Sequence, residues 1–99
     1  MTYAIFLRPE AEAEVSEAYD WYEAQAHGLG EEFLRAMDAC LSAIQRNPQA
    51  YSPIHKEVRR ALLRKFPYGI FYLIDEANVM VLACFHARRN PKQWQARML

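Results

Sequence analysis

The chain is poor in the residues that break or staple a backbone, with three Gly, five Pro and two Cys in 99 residues. There are no internal repeats, low-complexity tracts or linkers, and no Gly-rich phosphate loop. Cys40 and Cys84 lack the tight spacing of a disulfide framework. Each sits in an apolar pattern as a small buried hydrophobe would, which fits a cytoplasmic location. No apolar run approaches the roughly 20 residues of a membrane-spanning helix, so no membrane association is expected. The start, Met1 to Arg8, has no basic n-region and no small-residue cleavage site, so no secretory signal is expected. His27, His55 and His86 are too scattered for a metal site. Ser16, Ser42 and Ser52 stand in no nucleophile motif. Neither metal nor cofactor is expected.

What is present points to a packed globule. Apolar residues make up 53% of the chain, with six Tyr, five Phe and two Trp. Its length suits one domain over residues 1–99 with one core. Net charge is zero, but the charges are segregated. Residues 1–50 hold nine acids and three bases, and residues 51–99 hold nine bases and three acids. Either the halves pair across the fold, or the second half meets an anionic partner.

Hydrophobic periodicity orders the elements. Tyr3 to Leu7 reads as a short strand. Pro9 suits a first helical turn, and Glu10, Glu12 and Glu14 favour a helix N-terminus. Val15, Ala18, Tyr19, Tyr22 and Ala26 make one helical stripe, and the acids from Glu10 to Glu23 read as its solvated face. Gly28 and Gly30 are expected to break this helix. A second helix, from about Glu31, carries Phe33, Met37, Cys40, Leu41 and Ile44 on one face and stops at Asn47-Pro48. Ala50 to Lys56 reads as a polar loop. Val58–Arg64, Tyr68–Ile74 and Val79–Phe85 read as strands, the last two joined by the turn Asp75–Asn78. The tail from Pro91 to Leu99 is a short helix or an extended arm. The order β-α-α-β-β-β predicts an α+β fold, a helical hairpin on a mostly antiparallel sheet. The position of the first strand stays open.

Several segments, in order and spacing, resemble the RelE/ParE toxin superfamily of type II toxin–antitoxin systems, nearest its ParE-like, plasmid-stabilization branch. They are Leu7-Arg8-Pro9-Glu10-Ala11, Trp21-Tyr22, Gly30-Glu31-Glu32-Phe33, Asn47-Pro48, Val58-Arg59-Arg60, Phe66-Pro67-Tyr68 with Ile70 and Tyr72, and Val81-Leu82-Ala83 running to His86, Arg88, Arg89 and Trp94. The resemblance implies this same fold and a small antitoxin that wraps and silences the chain in a hetero-oligomer. ParE-like members are known to poison DNA gyrase, whereas RelE-like members cleave mRNA on the ribosome. One fold thus serves two functions, and residues must choose between them.

Metal-free RNA cleavage needs a base, an acid and cations aimed at the phosphate. Glu57 is the candidate base, His86 the acid, and Arg60, Arg64 and Arg88 the clamps. The nuclease pattern is broken at two places. Phe66-Pro67-Tyr68-Gly69 stands where RelE-like nucleases commonly carry an Arg, and Ala87 follows His86 where they commonly end in Tyr. The resemblance therefore favours a gyrase poison without catalysis of its own. The alternatives are a ribosome-dependent mRNA endonuclease and a degenerate toxin that only forms a complex. Arg59, Arg60, Arg64, His86, Arg88, Arg89, Lys92 and Trp94 are the expected target-binding set. Basic residues on both faces of Val58–Arg64 suggest an edge strand or a partner site. The bland reading pairs them with the acidic first helix, and has His86 bond a neighbouring carbonyl at a strand end. The antitoxin is expected in an apolar groove by the helices or along a sheet edge. Trp94 is an expected anchor for it, and Trp21 is expected in the core.

Overall fold

The computed structural model describes residues 3–88 and 91–97, without the side chains of Pro91 and Trp94. Strand β1 (Ala4–Leu7) leads into helices α1 (Pro9–Gln25) and α2 (Leu29–Arg46). A 3-10 turn, Pro48–Ala50, follows, then β2 (Pro53–His55), β3 (Val58–Leu62), β4 (Tyr68–Asp75), β5 (Asn78–His86) and α3 (Pro91–Arg97). The sheet order is β1-β5-β4-β3-β2. Only β1 pairs in parallel, with β5 from Ala4↔Asn78 to Leu7↔Val81. The expected α+β fold is present, with one strand more than expected. No helix among the described residues is long and apolar enough to cross a membrane.

The extra strand lies in the segment read as a loop. Its Pro53 costs the sheet nothing on an outer edge, where no neighbour needs its missing N–H. β2 takes that edge but pairs with β3 only at Val58 and Arg59, so the start of β3 is interior, not the free edge its charges suggested. β3 also stops at Leu62. Lys65 turns with φ 68°, and the Leu63 N–H bonds the Tyr68 carbonyl at 3.0 Å, so Arg64 lies on the β3–β4 turn.

The two helices meet closely at Gly30, which lies inside α2 instead of ending α1. A Cβ on Gly30 would sit 2.8 Å from the Tyr19 ring, so only glycine permits this approach. Gly28, at φ 88°, makes the left-handed turn. The Glu23 carboxylate accepts the Gly28 N–H at 3.0 Å and the Gly30 N–H at 3.0 Å. It thereby satisfies orphan donors at the start of α2. These two backbone bonds, first Gly28 and then Gly30, hold the Glu23 carboxyl below its ordinary value of 4.5. Its stabilising effect is complete above that value and fades as pH falls through the depressed one. Glu23→Gln is therefore expected to lower the melting temperature at neutral pH. The gap from the parent should close as the melts are carried below about pH 4, near the unperturbed glutamate value.

The core forms between the hairpin and the inner sheet face. Phe33, Met37 and Ile44 from α2 meet Ile70, Tyr72, Val79 and Val81. The Tyr72 hydroxyl donates to the buried Pro48 carbonyl at 2.6 Å, tying the sheet to the end of α2. Trp21, expected in this core, is 58% exposed. Helical phase puts it about 100° round from Tyr22, so it flanks the buried stripe and meets Tyr22 edge-on at 5.1 Å. Ala26 is exposed too, because α1 ends at Gln25 and Ala26 is extended.

Candidate functional site

A bulge in β5 decides what the end of the sheet presents. Phe71 pairs with Ala83 but Tyr72 pairs with Val81, which leaves Leu82 as an extra residue. An extra residue shifts the side-chain alternation beyond it by one. Val79, Val81 and Cys84 therefore share the helix-side core, while Leu82, Ala83 and Phe85 pack on the other face. Strict alternation would have put Cys84 and His86 on that other face. The bulge turns His86 toward α1, where it lines a cleft of about 310 Å³ with Glu14, Glu17, Trp21 and Tyr68.

β1 ends opposite Val81, so among the described residues no strand pairs with that edge of β5 from Leu82 onward. Side chains serve it instead. The Cys84 N–H donates to Glu14 Oε1 at 3.0 Å. The Leu82 carbonyl accepts from Arg97 Nη2 at 3.1 Å. Arg97 also pairs with the Glu14 carboxylate and lies over the Phe85 ring at 5.0 Å. Glu14 and Glu23 are thus structural acceptors, not members of a solvated face. Sequence reasoning missed both Glu14 and Arg97. A single residue in an acidic run carries no signal of an unpaired strand edge.

His86 rests edge-on against Tyr68 at 5.4 Å. Its Nδ1 accepts the Arg88 backbone N–H at 3.1 Å. In the neutral ring the proton therefore sits on Nε2. The Ala87 N–H bonds the Pro67 carbonyl, which brings the β3–β4 turn beside the exit of β5. Arg64 and Arg88, both exposed, stand at this end of the sheet, with β4 between their strands. Two strand spacings separate them, about 10 Å. Lys65 and Arg35 border the same turn.

The other expected residues lie elsewhere. Arg59 faces inward and donates to the Tyr51 and Gln49 carbonyls, which makes it a structural clamp. Arg60 pairs opposite Phe71 on the outer face. Gly69 leaves room for its stem, since a Cβ there would lie 3.1 Å from Arg60 Cγ and Cδ. Glu57 lies at the far end of β3, in a cleft with Lys56 and Arg59. Lys92 is exposed on α3. Arg89 and the Trp94 side chain lie outside the described residues. Among the described residues no ion pair joins the Arg59–Lys65 group to α1, whereas Arg97 pairs with Glu14 there. Both cysteines are buried, and burial pushes the Cys40 thiol up to about 11 and the Cys84 thiol to about 12. Neither is a ready nucleophile.

Residues 5–91 match the family model for the ParE toxin of the type II toxin–antitoxin system, parDE. The chain belongs to the ParE toxin family. This toxin is 26% identical to Toxin ParE2 of Mycobacterium tuberculosis strain CDC 1551, across 99% of this chain and 94% of that one. Strain H37Rv carries a ParE2 with the same identity and coverage. Among solved structures, a chain of the chromosomal ParDE system from P. aeruginosa superposes with a TM-score of 0.74 at 14% identity. That match covers 88% of this chain and 98% of the other. A chain of the RelBE2 toxin–antitoxin complex from M. tuberculosis superposes with a TM-score of 0.63 at 15% identity, over 87% and 99% of the two chains. At such identities the superpositions speak to fold alone. The toxin shares its fold with both the ParE and the RelE branches.

Proposed function

We propose that residues 1–99 act as one cytoplasmic toxin domain that binds and inhibits DNA gyrase without catalysis of its own, and that a cognate antitoxin silences it. The observation that carries this reading is the dispersal of the nuclease set. Glu57 and His86 stand at opposite ends of the sheet, six strand positions apart, or roughly 20 Å. General acid and base must reach one reacting group together. Arg60 stands on the outer face of the sheet opposite Phe71, and no Tyr follows Tyr72 in the sequence. What remains at the end of the sheet is a cationic surface with an exposed Trp beside it. Such a mixture suits a protein target by charge and anchoring.

One observation favours mRNA cleavage as the second reading. His86, Arg64 and Arg88 share one end of the sheet, and cleavage at a phosphate needs an acid and cations together. Purified toxin is expected to stop supercoiling by purified gyrase and to leave mRNA on translating ribosomes uncut. Intact supercoiling with cut mRNA would reverse the order of the two readings.

A further inference from the structure

Helix α1 carries six acids, from Glu10 to Glu23, and no base. Two of them have work inside the fold. Glu14 pairs with Arg97, and Glu23 serves the backbone at Gly28 and Gly30. Glu17 and Asp20 are exposed, and among the described residues neither has an ion pair. The basic half of the chain therefore leaves this stretch of α1 uncovered.

Glu14, Glu17 and Trp21 follow one another at steps of three and four residues, so they line one side of the helix. That side is one wall of the cleft of about 310 Å³, and Tyr68, Cys84 and His86 form the other. Trp21 leaves more than half of its surface to solvent. The neighbouring edge of β5 shows what such a place holds. There Arg97 sets its guanidinium on the Glu14 carboxylate and over the Phe85 ring. One turn along α1, Glu17 and Trp21 offer a carboxylate and an aromatic ring again, and no described cation of the chain pairs with Glu17.

A ring beside a carboxylate favours a cation. A guanidinium suits both partners, because it stacks flat on an indole, forks to a carboxylate and sheds water more readily than an ammonium. A nucleic acid suits them poorly. A base stacked on Trp21 would bring its own phosphates toward Glu17 and Asp20, like charge against like.

We propose that this cleft takes an arginine side chain of the target protein, stacked on Trp21 and paired with Glu17. The proposal rests on the reading that the chain works by binding gyrase. It gives that surface two signs. Arg64 and Arg88 call for acids on the target, and the cleft beside them calls for a base.

The test titrates purified gyrase with the parent toxin and with Trp21→Ala, Trp21→Phe, Glu17→Lys and Glu17→Asp. Both positions are exposed, so all four variants should melt with the parent. Trp21→Ala should raise the concentration for half-inhibition by at least about tenfold, as loss of an aromatic anchor does. Glu17→Lys should raise it by about 30-fold, and by less at high salt. Trp21→Phe and Glu17→Asp should each recover part of the loss. In a second arm, N-acetylargininamide should shift the Trp21 indole N–H signal of the labelled toxin, and the lysine analogue should shift it less. The Trp21 signal is the one missing from the Trp21→Ala chain. A loss on Trp21→Ala with none on Glu17→Lys makes Trp21 a plain apolar anchor and overturns the cation. Stronger inhibition by Glu17→Lys assigns the cleft to an anion, which also overturns it. Equal shifts from the two amino-acid amides overturn the preference for a guanidinium, and no shift from either overturns the cleft. Antitoxin binding lost with gyrase inhibition kept gives the cleft to the antitoxin and overturns the proposal. A parent chain that leaves gyrase active sinks the underlying reading, and this proposal with it.

Discussion

Reversing charge at Arg64 and Arg88 together is expected to raise the toxin concentration needed for half-inhibition of gyrase by about 100-fold, or about 2.7 kcal/mol. Both side chains are exposed at one end of the sheet, so the double substitution leaves the core untouched and the melting temperature nearly unchanged. A surface that works by charge loses binding when its cations are reversed, and the loss shrinks as salt rises. Arg59→Glu should behave in the opposite way. Arg59 holds the Tyr51 and Gln49 carbonyls, so its change lowers stability before it touches the target. The deciding measurement is a titration of supercoiling inhibition at two salt concentrations, with a melt of each variant. Full inhibition by the Arg64→Glu, Arg88→Glu chain would remove the cationic end of the sheet from the target surface.

Phe33→Ala is expected to destabilise the chain by about 3–5 kcal/mol. Phe33 is completely buried. It stacks on Tyr22 at 5.3 Å and meets Phe66 and Tyr68 edge-on at 5.4 and 5.3 Å. Tyr22 on α1 meets the same two rings, at 4.9 and 6.1 Å, so both helices hold the turn that carries Arg64. A domain of this size is stabilised by about 5–15 kcal/mol in total, so the variant should stand near its unfolding threshold. Urea unfolding measures the loss directly. Phe33→Leu keeps most of the volume and should recover more than half of it. Trp21→Ala, at an exposed position, should shift the midpoint little. A Phe33→Ala chain as stable as the parent would mean that the aromatic cluster does not hold the hairpin to the sheet.

These two predictions concern one arrangement. The aromatic cluster of Tyr22, Phe33, Phe66 and Tyr68 fixes the β3–β4 turn against the helices. The same turn places Arg64 at the cationic end of the sheet.

The sequence alone determined the two helices, the three longer strands and the hairpin between the last two. It also determined the family, through the order of many weak segments. Those features rest on local periodicity and on Pro and Asn stops, which act within a few residues. It likewise showed that acids and bases are segregated. Tertiary structure alone decided which of these charges stand together. Arg59 is spent on carbonyls, Glu57 lies at the wrong end of the sheet, and Glu14 is drawn inward to serve an N–H 70 residues away. Arg97 reaches Glu14 across 83 residues. The direction of His86 depends on one extra residue, Leu82, whose register is visible only once β4 is paired with β5. Local pattern records how often a residue is buried. The face a strand end presents, and the partner a charge finds, depend on pairings between distant segments that no local window contains.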